Sequence, residues 1–419
     1  MESPTSVTAD LWDGSAHRGI STVRWTLSAT DGAVESAEPV QDAARPVEDV
    51  ARPVEDAGRP AGAAELSIIP GLIDTHVHLI GYAGGGTPDF LSWPLVTRPE
   101  EQVLHGLANA RRALAAGVTT LRDLSADEVQ FSLARALRDG IVSGPRLYTH
   151  GMVGMTAGHA DLFIPQAFPI RKPVADGPDA CRALVRHWAR AGADGIKIAT
   201  SGGVLSVGDK SAWRNYTRDE IAAIVDEAHA LGMRVAAHAH TEDGIRIALD
   251  EGVDSIEHAT LISSELAARG VRQGVTVAPT LLINETIAAG GAGVSAEQAE
   301  KARDLVGRRD VLMRAAADAG VDFVLGTDAN ARHVQFGDEL DEVRRMAEVF
   351  GWSAARALEA ATSRAAVAIG HPELGRIAAG TPADFVVLRG RPWEDLAVLD
   401  AKNIVAVVSR GRVVVGELP

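Results

Sequence analysis

The middle of the chain alternates short apolar runs with longer segments in which apolar residues recur at helical spacing. The apolar runs have the length of strands that are buried on both faces, and the segments between them have the period of amphipathic helices. Strands are predicted over residues 68–78, 118–123, 146–152, 195–200, 234–240, 255–258, 276–280 and 322–328. The helices predicted between and after them include residues 182–190, 218–231, 302–319 and 338–349. Strands that are each followed by a helix predict an α/β fold, a closed parallel (β/α)₈ barrel.

Both chain ends have a different pattern. The turn dipeptides Asp13-Gly14 and Asp31-Gly32 separate β-prone runs near the N-terminus, and β-prone runs return at residues 383–389 and 404–415. We therefore expect the two ends to pair into one small β-sandwich domain beside the barrel. The predicted division assigns the first part of the small domain to residues 1–66, the barrel to 67–370, and the second part of the small domain to 371–419.

A short tandem repeat interrupts the N-terminal part. Pro-Val-Glu-Asp occurs at residues 46–49 and 53–56, and Pro-Val-Gln-Asp occurs at residues 39–42. The period is far shorter than that of a solenoid unit. Proline, alanine and acidic residues dominate this stretch, so the sequence predicts a solvated, disordered insertion over about residues 38–62.

Composition narrows the class of partner and the compartment. The net charge of −15 argues against nucleic acid, because phosphate backbones bind basic surfaces. The single cysteine, Cys181, excludes an intramolecular disulfide framework and fits a reducing compartment. The N-terminus lacks the features of a signal peptide, and no apolar run approaches the ~18 residues that cross a bilayer. We expect a cytoplasmic homo-oligomer that binds a small molecule and no membrane.

Histidines occur in pairs at the ends of two predicted strands. His76 and His78 lie two residues apart on the first strand, and His238 and His240 repeat the spacing on the fifth. Side chains two residues apart on a strand point to the same face, so each pair can present two imidazoles to one metal ion. A single pair also arises by chance, when a strand-end histidine only hydrogen-bonds a loop.

Two further candidate ligands, His258 and Asp328, end the sixth and the eighth predicted strands. Asp328 could alternatively cap the segment that follows it. The C-terminal ends of barrel strands, where all these side chains converge, are the usual place of an active site in this fold. The joint pattern predicts a site for divalent metal, and zinc, manganese and cobalt all accept such ligands.

Lys197 lies inside the apolar fourth strand, where an unpaired ammonium group would be costly to bury. A lysine in this position must be neutral, paired or modified. One alternative is an ion pair with an acidic residue such as Asp328. The alternative that we favour is a carbamate formed with carbon dioxide, which would turn the amine into a carboxylate able to bridge two cations.

Several segments together resemble the amidohydrolase superfamily, and specifically its imidazolonepropionase-related branch, which contains Xaa-Pro dipeptidases and carboxypeptidase-like enzymes. The resemblance extends from about Ile68 to the end of the chain. The segments that carry it are Pro70-Gly71-Leu72-Ile73-Asp74-Thr75-His76-Val77-His78, Gly195-Ile196-Lys197, Ala237-His238-Ala239-His240, Ser255-Ile256-Glu257-His258 and Gly326-Thr327-Asp328-Ala329. The N-terminal strands and the repeat depart from the pattern of the family.

The resemblance also implies roles for single residues. It implies two divalent ions, zinc being the expected metal, with the following ligands: His76, His78 and Asp328 on one ion, His238 and His258 on the other, and N6-carboxylated Lys197 as the bridge. His240 then becomes a substrate contact. His159 resembles a histidine that faces the substrate in this branch, and Tyr216 resembles a tyrosine that meets the substrate carboxylate; either could instead be an ordinary loop residue.

The implied activity is hydrolysis of an amide or peptide bond in a small N-acyl amino acid or dipeptide, as in Xaa-Pro dipeptidases. A hydroxide that bridges the metals would attack the carbonyl, and Asp328 would act as the catalytic base that passes the proton to the leaving nitrogen. A rival reading is hydrolysis of a cyclic amide, carbamate, urea or xenobiotic amide at the same site. A non-catalytic scaffold is disfavoured, because no ligand of the pattern is missing.

Overall fold

The computed structural model describes residues 5–28, 30–40, 66–84, 88, 91–169, 171–206, 208–291 and 293–419. Its strands are β1 (Thr5–Trp12), β2 (His17–Leu27), β3 (Gly32–Pro39), β4 (Leu66–Pro70), β5 (Leu72–Val77), β6 (Val118–Ala126), β7 (Arg146–Met152), β8 (Gly195–Ala199), β9 (Arg234–Ala239), β10 (Ser255–His258), β11 (Thr276–Ala278), β12 (Asp322–Phe323), β13 (Phe385–Arg389), β14 (Ile404–Ser409) and β15 (Arg412–Gly416). Its helices are α1 (Trp93–Val96), α2 (Pro99–Ala115), α3 (Glu128–Arg138), α4 (Pro178–Ala191), α5 (Arg218–Ala230), α6 (Glu242–Asp250), α7 (Ser264–Gln273), α8 (Leu281–Ala289), α9 (Ala296–Asp318), α10 (Glu339–Phe350), α11 (Ala354–Ala361) and α12 (Ser363–Ala368).

Strands β5 to β12 form one parallel sheet in which neighbours in the chain are neighbours in space. The first strand, β5, also pairs with the segment that directly follows the last strand, β12. Val77 forms a parallel bridge with Ala329, and the backbone N–H of Thr75 donates to the carbonyl of Leu325 at 3.0 Å. Because the sheet curls until its edges pair in this way, the predicted (β/α)₈ barrel is confirmed.

The helices of the barrel begin where the sequence supplies caps. Thr217 precedes α5 and forms a capping box with Glu220, and Ser295 precedes α9 and forms one with Gln298. The predicted helices are found, although α9 begins earlier than the predicted 302. No helix in the described part of the chain combines the length and apolar character that a membrane crossing needs.

The two chain ends form a second sheet of seven strands in the order β15-β14-β13-β4-β1-β2-β3. The sheet folds over a core of its own, in which the Trp25 ring meets Phe385 edge-on at 4.9 Å and its indole N–H donates to the Gly411 carbonyl at 2.8 Å. The expected pairing of the two ends is confirmed. Most of the tandem repeat lies outside the described residues, which leave out 41–65.

The apolar run at residues 68–78 differs from its predicted form. It was expected to be one strand, but Leu66–Pro70 pairs with β1 and β13 in the second sheet, whereas Leu72–Val77 belongs to the barrel. The chain changes sheets at Gly71, where a Cβ atom would lie only 2.1 Å from the Thr119 hydroxyl oxygen. The close approach of Gly71 to Thr119 thus lies where the chain passes from the second sheet into the barrel.

Candidate metal centre

The first group of candidate ligands joins the end of β5 to the segment after β12. His78 Nε2 lies 3.1 Å from Asp328 Oδ1, and His76 Nε2 lies 3.7 Å from the same oxygen. The backbone positions Asp328, since its N–H donates to the His76 carbonyl at 2.8 Å and its φ of +59° is in the left-handed region. One cation can therefore reach all three side chains, whose ligand atoms lie within 4.8 Å of one another.

The second group consists of His238, His240 and His258, from the ends of β9 and β10, and its ligand atoms also lie within 4.8 Å of one another. His240 Nδ1 lies 2.8 Å from the Thr260 hydroxyl, and His258 Nδ1 lies 2.7 Å from the Thr280 hydroxyl. When each hydroxyl accepts the Nδ1–H, each Nε2 keeps its lone pair for a metal ion.

His238 is oriented from the opposite side of its ring. Its Nε2 lies 3.3 Å from the Gly202 carbonyl oxygen, which can only accept, so Nδ1 is the nitrogen left for a metal ion. His240 is itself a member of this group, so the structure gives it the same access to a metal ion as His238 and His258, the two histidines predicted to be ligands. The predicted role of His240 as a substrate contact stays a prediction.

Burial keeps four of the histidines, His76, His238, His240 and His258, in the neutral form that binds metal. It lowers the pKa of His76 to about 4 and that of His240 to about 3, and it holds the pKa of His238 and His258 well below the usual value. Asp328 shows the opposite balance. Burial alone would raise its pKa, but the adjacent His76 ring, the hydrogen bond from His78 and the charge of Lys197 lower it to about 2. The donor set thus consists of imidazoles, four of which are held neutral by burial, and one carboxylate.

The Lys197 side chain extends from β8 into the same mouth of the barrel. Its Nζ atom is buried and has no hydrogen-bond partner among the described residues. Burial lowers the pKa of Lys197 to about 8, although the charges of Glu257 and Asp328 oppose this shift. The hydrogen-bonded pair with Asp328 that the sequence left open is therefore not formed.

The candidate ligands form the floor of an open cavity of about 790 Å³. Its walls are largely apolar and include Leu91, Leu95, Phe163, Phe168 and Ile287. The cations that reach the cavity from its sides are paired, Lys172 with Asp127 at 3.5 Å and Arg171 with Asp161. The cavity can therefore hold a small organic molecule with an apolar group above the metal ligands.

Comparison with known proteins identifies the family. A sequence model of the amidohydrolase family matches residues 67–414, which is most of the chain. The chain belongs to the amidohydrolase family. The resemblance read from the sequence is thus confirmed at the level of the superfamily, and this amidohydrolase is a hydrolase that acts on carbon–nitrogen bonds.

Relatives of this amidohydrolase have different substrates. The ochratoxinase of Aspergillus niger is 30% identical over 368 residues, covering 82% of this chain and 74% of its own length. The imidazolonepropionase of Deinococcus radiodurans is 27% identical over 363 residues, covering 82% of each chain. The crystal structure of a Xaa-Pro dipeptidase with methionine bound in its active site superposes with a TM-score of 0.84 at 29% identity, over 99% of this chain and 100% of that chain.

His159 faces the cavity of the amidohydrolase, as predicted for a substrate contact. Its ring stacks on His238 with the centroids 4.3 Å apart, and its Nδ1 lies 2.9 Å from the Ser206 hydroxyl. The ring also packs on Gly203, where a Cβ atom would come within 2.0 Å of it. The loop after β8 thus fixes the orientation of His159, although the contact with substrate stays a prediction.

Tyr216 is not brought into the site. Only 2% of its surface is exposed, and its hydroxyl donates to the Val153 carbonyl behind the cavity wall. Burial raises the pKa of this phenol far above its usual value, so the group stays a neutral donor to Val153. The predicted contact between Tyr216 and a substrate carboxylate therefore has no support in the structure.

The sequence reasoning missed a set of charged side chains inside the barrel. Glu257 Oε2 lies 2.9 Å from His76 Nδ1, while Oε1 accepts from Arg122 at 3.0 Å and from the Ser255 hydroxyl at 2.7 Å. A signal for them was present, because Glu257 and Arg122 stand in apolar strands where a charge needs a partner. That signal could not tell which partner each would meet.

Proposed function

We propose that this amidohydrolase uses two divalent metal ions, zinc in the first instance, to hydrolyse an amide or peptide bond in a small N-acyl amino acid or dipeptide. The observation that carries the proposal is the buried amine of Lys197, which lies beside two groups of candidate ligands and has no hydrogen-bond partner in the described part of the chain. The charge of Lys197 reaches both groups, since it adds to burial, the larger cause, in lowering the pKa of His76 in the first group and of His238 in the second.

The residues fit two metal ions. His76, His78 and Asp328 would hold one ion, and His238 and His258 would hold the other. Neutral imidazoles with a carboxylate are the donors that zinc prefers. An unmodified, protonated Lys197 does not fit two metal ions, because its ammonium group would repel both cations.

A carbamate on Lys197 removes this conflict. The reaction of carbon dioxide with an amine needs the neutral form, and a pKa of about 8 leaves an appreciable neutral fraction near pH 7. The amine nitrogen forms a bond to the carbon of carbon dioxide and loses a proton, which gives a carboxylate. Lys197 would then supply the bridging ligand, and its buried nitrogen would no longer be an uncompensated charge.

The chemistry divides between the ions and the protein. Bound divalent ions would lower the pKa of a water molecule and polarise the scissile carbonyl. Asp328 would take the proton from the attacking water on Oδ1 or Oδ2 and deliver it to the departing nitrogen. His159 and His240, on the side of the second ligand group, would orient the substrate above the metal ligands.

The Xaa-Pro dipeptidase with methionine in its active site supports a substrate that carries an amino acid part. The large apolar cavity, about 790 Å³, favours as a second candidate a bulkier xenobiotic amide. A natural dipeptide would fill only part of this volume. Both candidates use the same ligands, so one substrate panel compares them.

The test is a panel of dipeptides, N-acyl amino acids and bulky apolar amides, scored by kcat/KM on metal-replete protein with the bound metal counted. We expect close to two ions per chain and turnover of at least one class. The Lys197→Ala variant should lose activity and bind less metal, and added acetate or propionate should restore part of both, because a small carboxylate can occupy the vacated space. A metal-replete protein that cleaves no member of the panel would rule the proposal out.

A further inference from the structure

Glu257 and Arg122 form a charged pair in the interior of the barrel, with 0% and 1% of their surfaces exposed. Taking two charges out of water costs several kcal/mol per ion, and a well-packed apolar pair often supports a fold equally well. The stability of the barrel alone therefore gives little reason for this pair. The position of Glu257 next to His76 of the first ligand group gives a different reason for the pair.

Glu257 connects the pair to His76. The Oε2 atom lies 2.9 Å from His76 Nδ1, and neither atom has another hydrogen-bond partner among the described residues. The contact is not aligned as a hydrogen bond with the ring in its present orientation, but each atom is the partner available to the other. The other nitrogen of the ring, Nε2, faces Asp328.

We propose that Glu257 is a positioning residue of the metal centre, which accepts the Nδ1–H of His76 and thereby directs the Nε2 lone pair at the first metal ion. Arg122 in turn holds Glu257 in place, through its bond to Oε1 and a second bond from Nε to the Thr75 carbonyl at 2.6 Å. The inference rests on the proposed metal centre, but not on any substrate.

Electrostatics supports this role. The Arg122 guanidinium donates to Glu257 Oε1 at 3.0 Å, and such a permanently charged donor favours the carboxylate form of Glu257. A carboxylate behind a ligating histidine fixes the tautomer of the ring and makes the ligand nitrogen more basic. Removing it should weaken metal binding even though no ligand is lost.

The experiment measures zinc affinity of metal-free protein by competition with a chromophoric chelator. Glu257→Gln should bind zinc at the first site about 10–100-fold more weakly than the parent. Because this variant leaves Arg122 without a counter-charge, the double variant Arg122→Met/Glu257→Gln is measured as well. It removes both charges, should keep the fold, and should show the same weakening.

Glu339→Gln is the matched control. Glu339 is also fully buried, its Oε2 accepts from the Gly337 N–H at 2.5 Å, and its Oε1 has no partner among the described residues. Burial and the charge of Asp74 raise its pKa to about 8, so a neutral amide replaces a largely neutral acid. We expect the zinc affinity of this control to equal that of the parent.

A further pair of variants shows whether Glu257 acts through the histidine. In a His76→Ala background, Glu257→Gln should cause no additional loss of zinc affinity. Parent-like zinc affinity of the folded Glu257→Gln and double variants would overturn the inference, as would an equal loss in the His76→Ala background. A parent protein that binds no zinc would instead contradict the proposed function.

Discussion

At the residue scale, Lys197 places a charge where the folded protein accommodates it poorly. Burial lowers its pKa from 10.5 to about 8, so the unfolded chain binds more protons than the folded protein between these two values. The destabilisation is therefore fully present below about pH 8 and disappears as the pH rises towards 10.5. We predict that Lys197→Met stabilises metal-free, carbon dioxide-free protein by about 3 kcal/mol at pH 7, since each pKa unit is worth about 1.4 kcal/mol.

Thermal or urea unfolding of both proteins from pH 7 to 10 measures this difference. The advantage of the Lys197→Met variant should be constant up to about pH 8 and should shrink steadily from there to pH 10. Lys402→Met is the control, because the Lys402 side chain is 75% exposed and its removal should leave the pH dependence unchanged. An advantage that stays constant with pH would show that the buried amine carries no such charge penalty.

At the scale of elements, the sequence predicted most strands and helices because each follows a local period. The run at 68–78 shows where this information ends. Pro70-Gly71 interrupts the run as a break signal, but the pattern does not tell that β4 on one side belongs to the second sheet and β5 on the other side to the barrel. The change of sheet takes place where Gly71 packs closely against Thr119, and these two residues are far apart in the chain.

This junction gives a prediction of its own. Gly71→Ala should destabilise the protein by about 1–3 kcal/mol, because the added methyl group overlaps the Thr119 side chain and both residues lie on backbone that cannot easily move. The melting temperature measures the effect, and Thr119→Ala in the same chain should relieve part of it. Gly307→Ala, in the middle of α9 with no atom within 4 Å of the new methyl group, should instead stabilise slightly. Equal effects of the two substitutions would exclude the close approach as the cause.

At the scale of the whole molecule, the sequence indicated the candidate metal site better than it indicated the groups around it. The gathering of the candidate ligands could be predicted because the C-terminal ends of barrel strands always converge, whatever the loops do. Tyr216 and Glu257 show the limit. Tyr216 resembles a substrate-contacting tyrosine, but its hydroxyl bonds to Val153 instead. Glu257 lies in a recognisable motif, but its partners His76 and Arg122 come from other strands of the barrel, and such partners are fixed only by packing in three dimensions.

The attachment of the second sheet to the barrel depends on a similar distant contact. Arg146 of β7 donates two hydrogen bonds to Asp31, at 2.6 and 2.9 Å, and one to Asp384 at 2.7 Å. Asp31 belongs to the N-terminal part of the second sheet and Asp384 to the C-terminal part, so one guanidinium ties both chain ends to the barrel. Arg146 and Asp384 are largely buried, whereas the Asp31 side chain is 43% exposed. Removing the guanidinium therefore leaves one buried carboxylate uncompensated, and we expect a cost towards the lower end of the ~3–5 kcal/mol typical of broken buried pairs.

We therefore predict that Arg146→Met lowers the melting temperature strongly and splits the calorimetric transition in two, as the second sheet unfolds before the barrel.

Burial alone would raise the pKa of Asp31, but Arg146 lowers it, so the contribution of this pair is present near pH 7 and is lost as the pH falls through the range of an ordinary aspartate and below. The gap between parent and variant should close in acid. Arg182→Met, which removes the surface ion pairs of Arg182 with Asp226 and Glu227, should shift the melting temperature little. A single transition near the parent melting temperature in Arg146→Met would mean that apolar contacts alone hold the two sheets together.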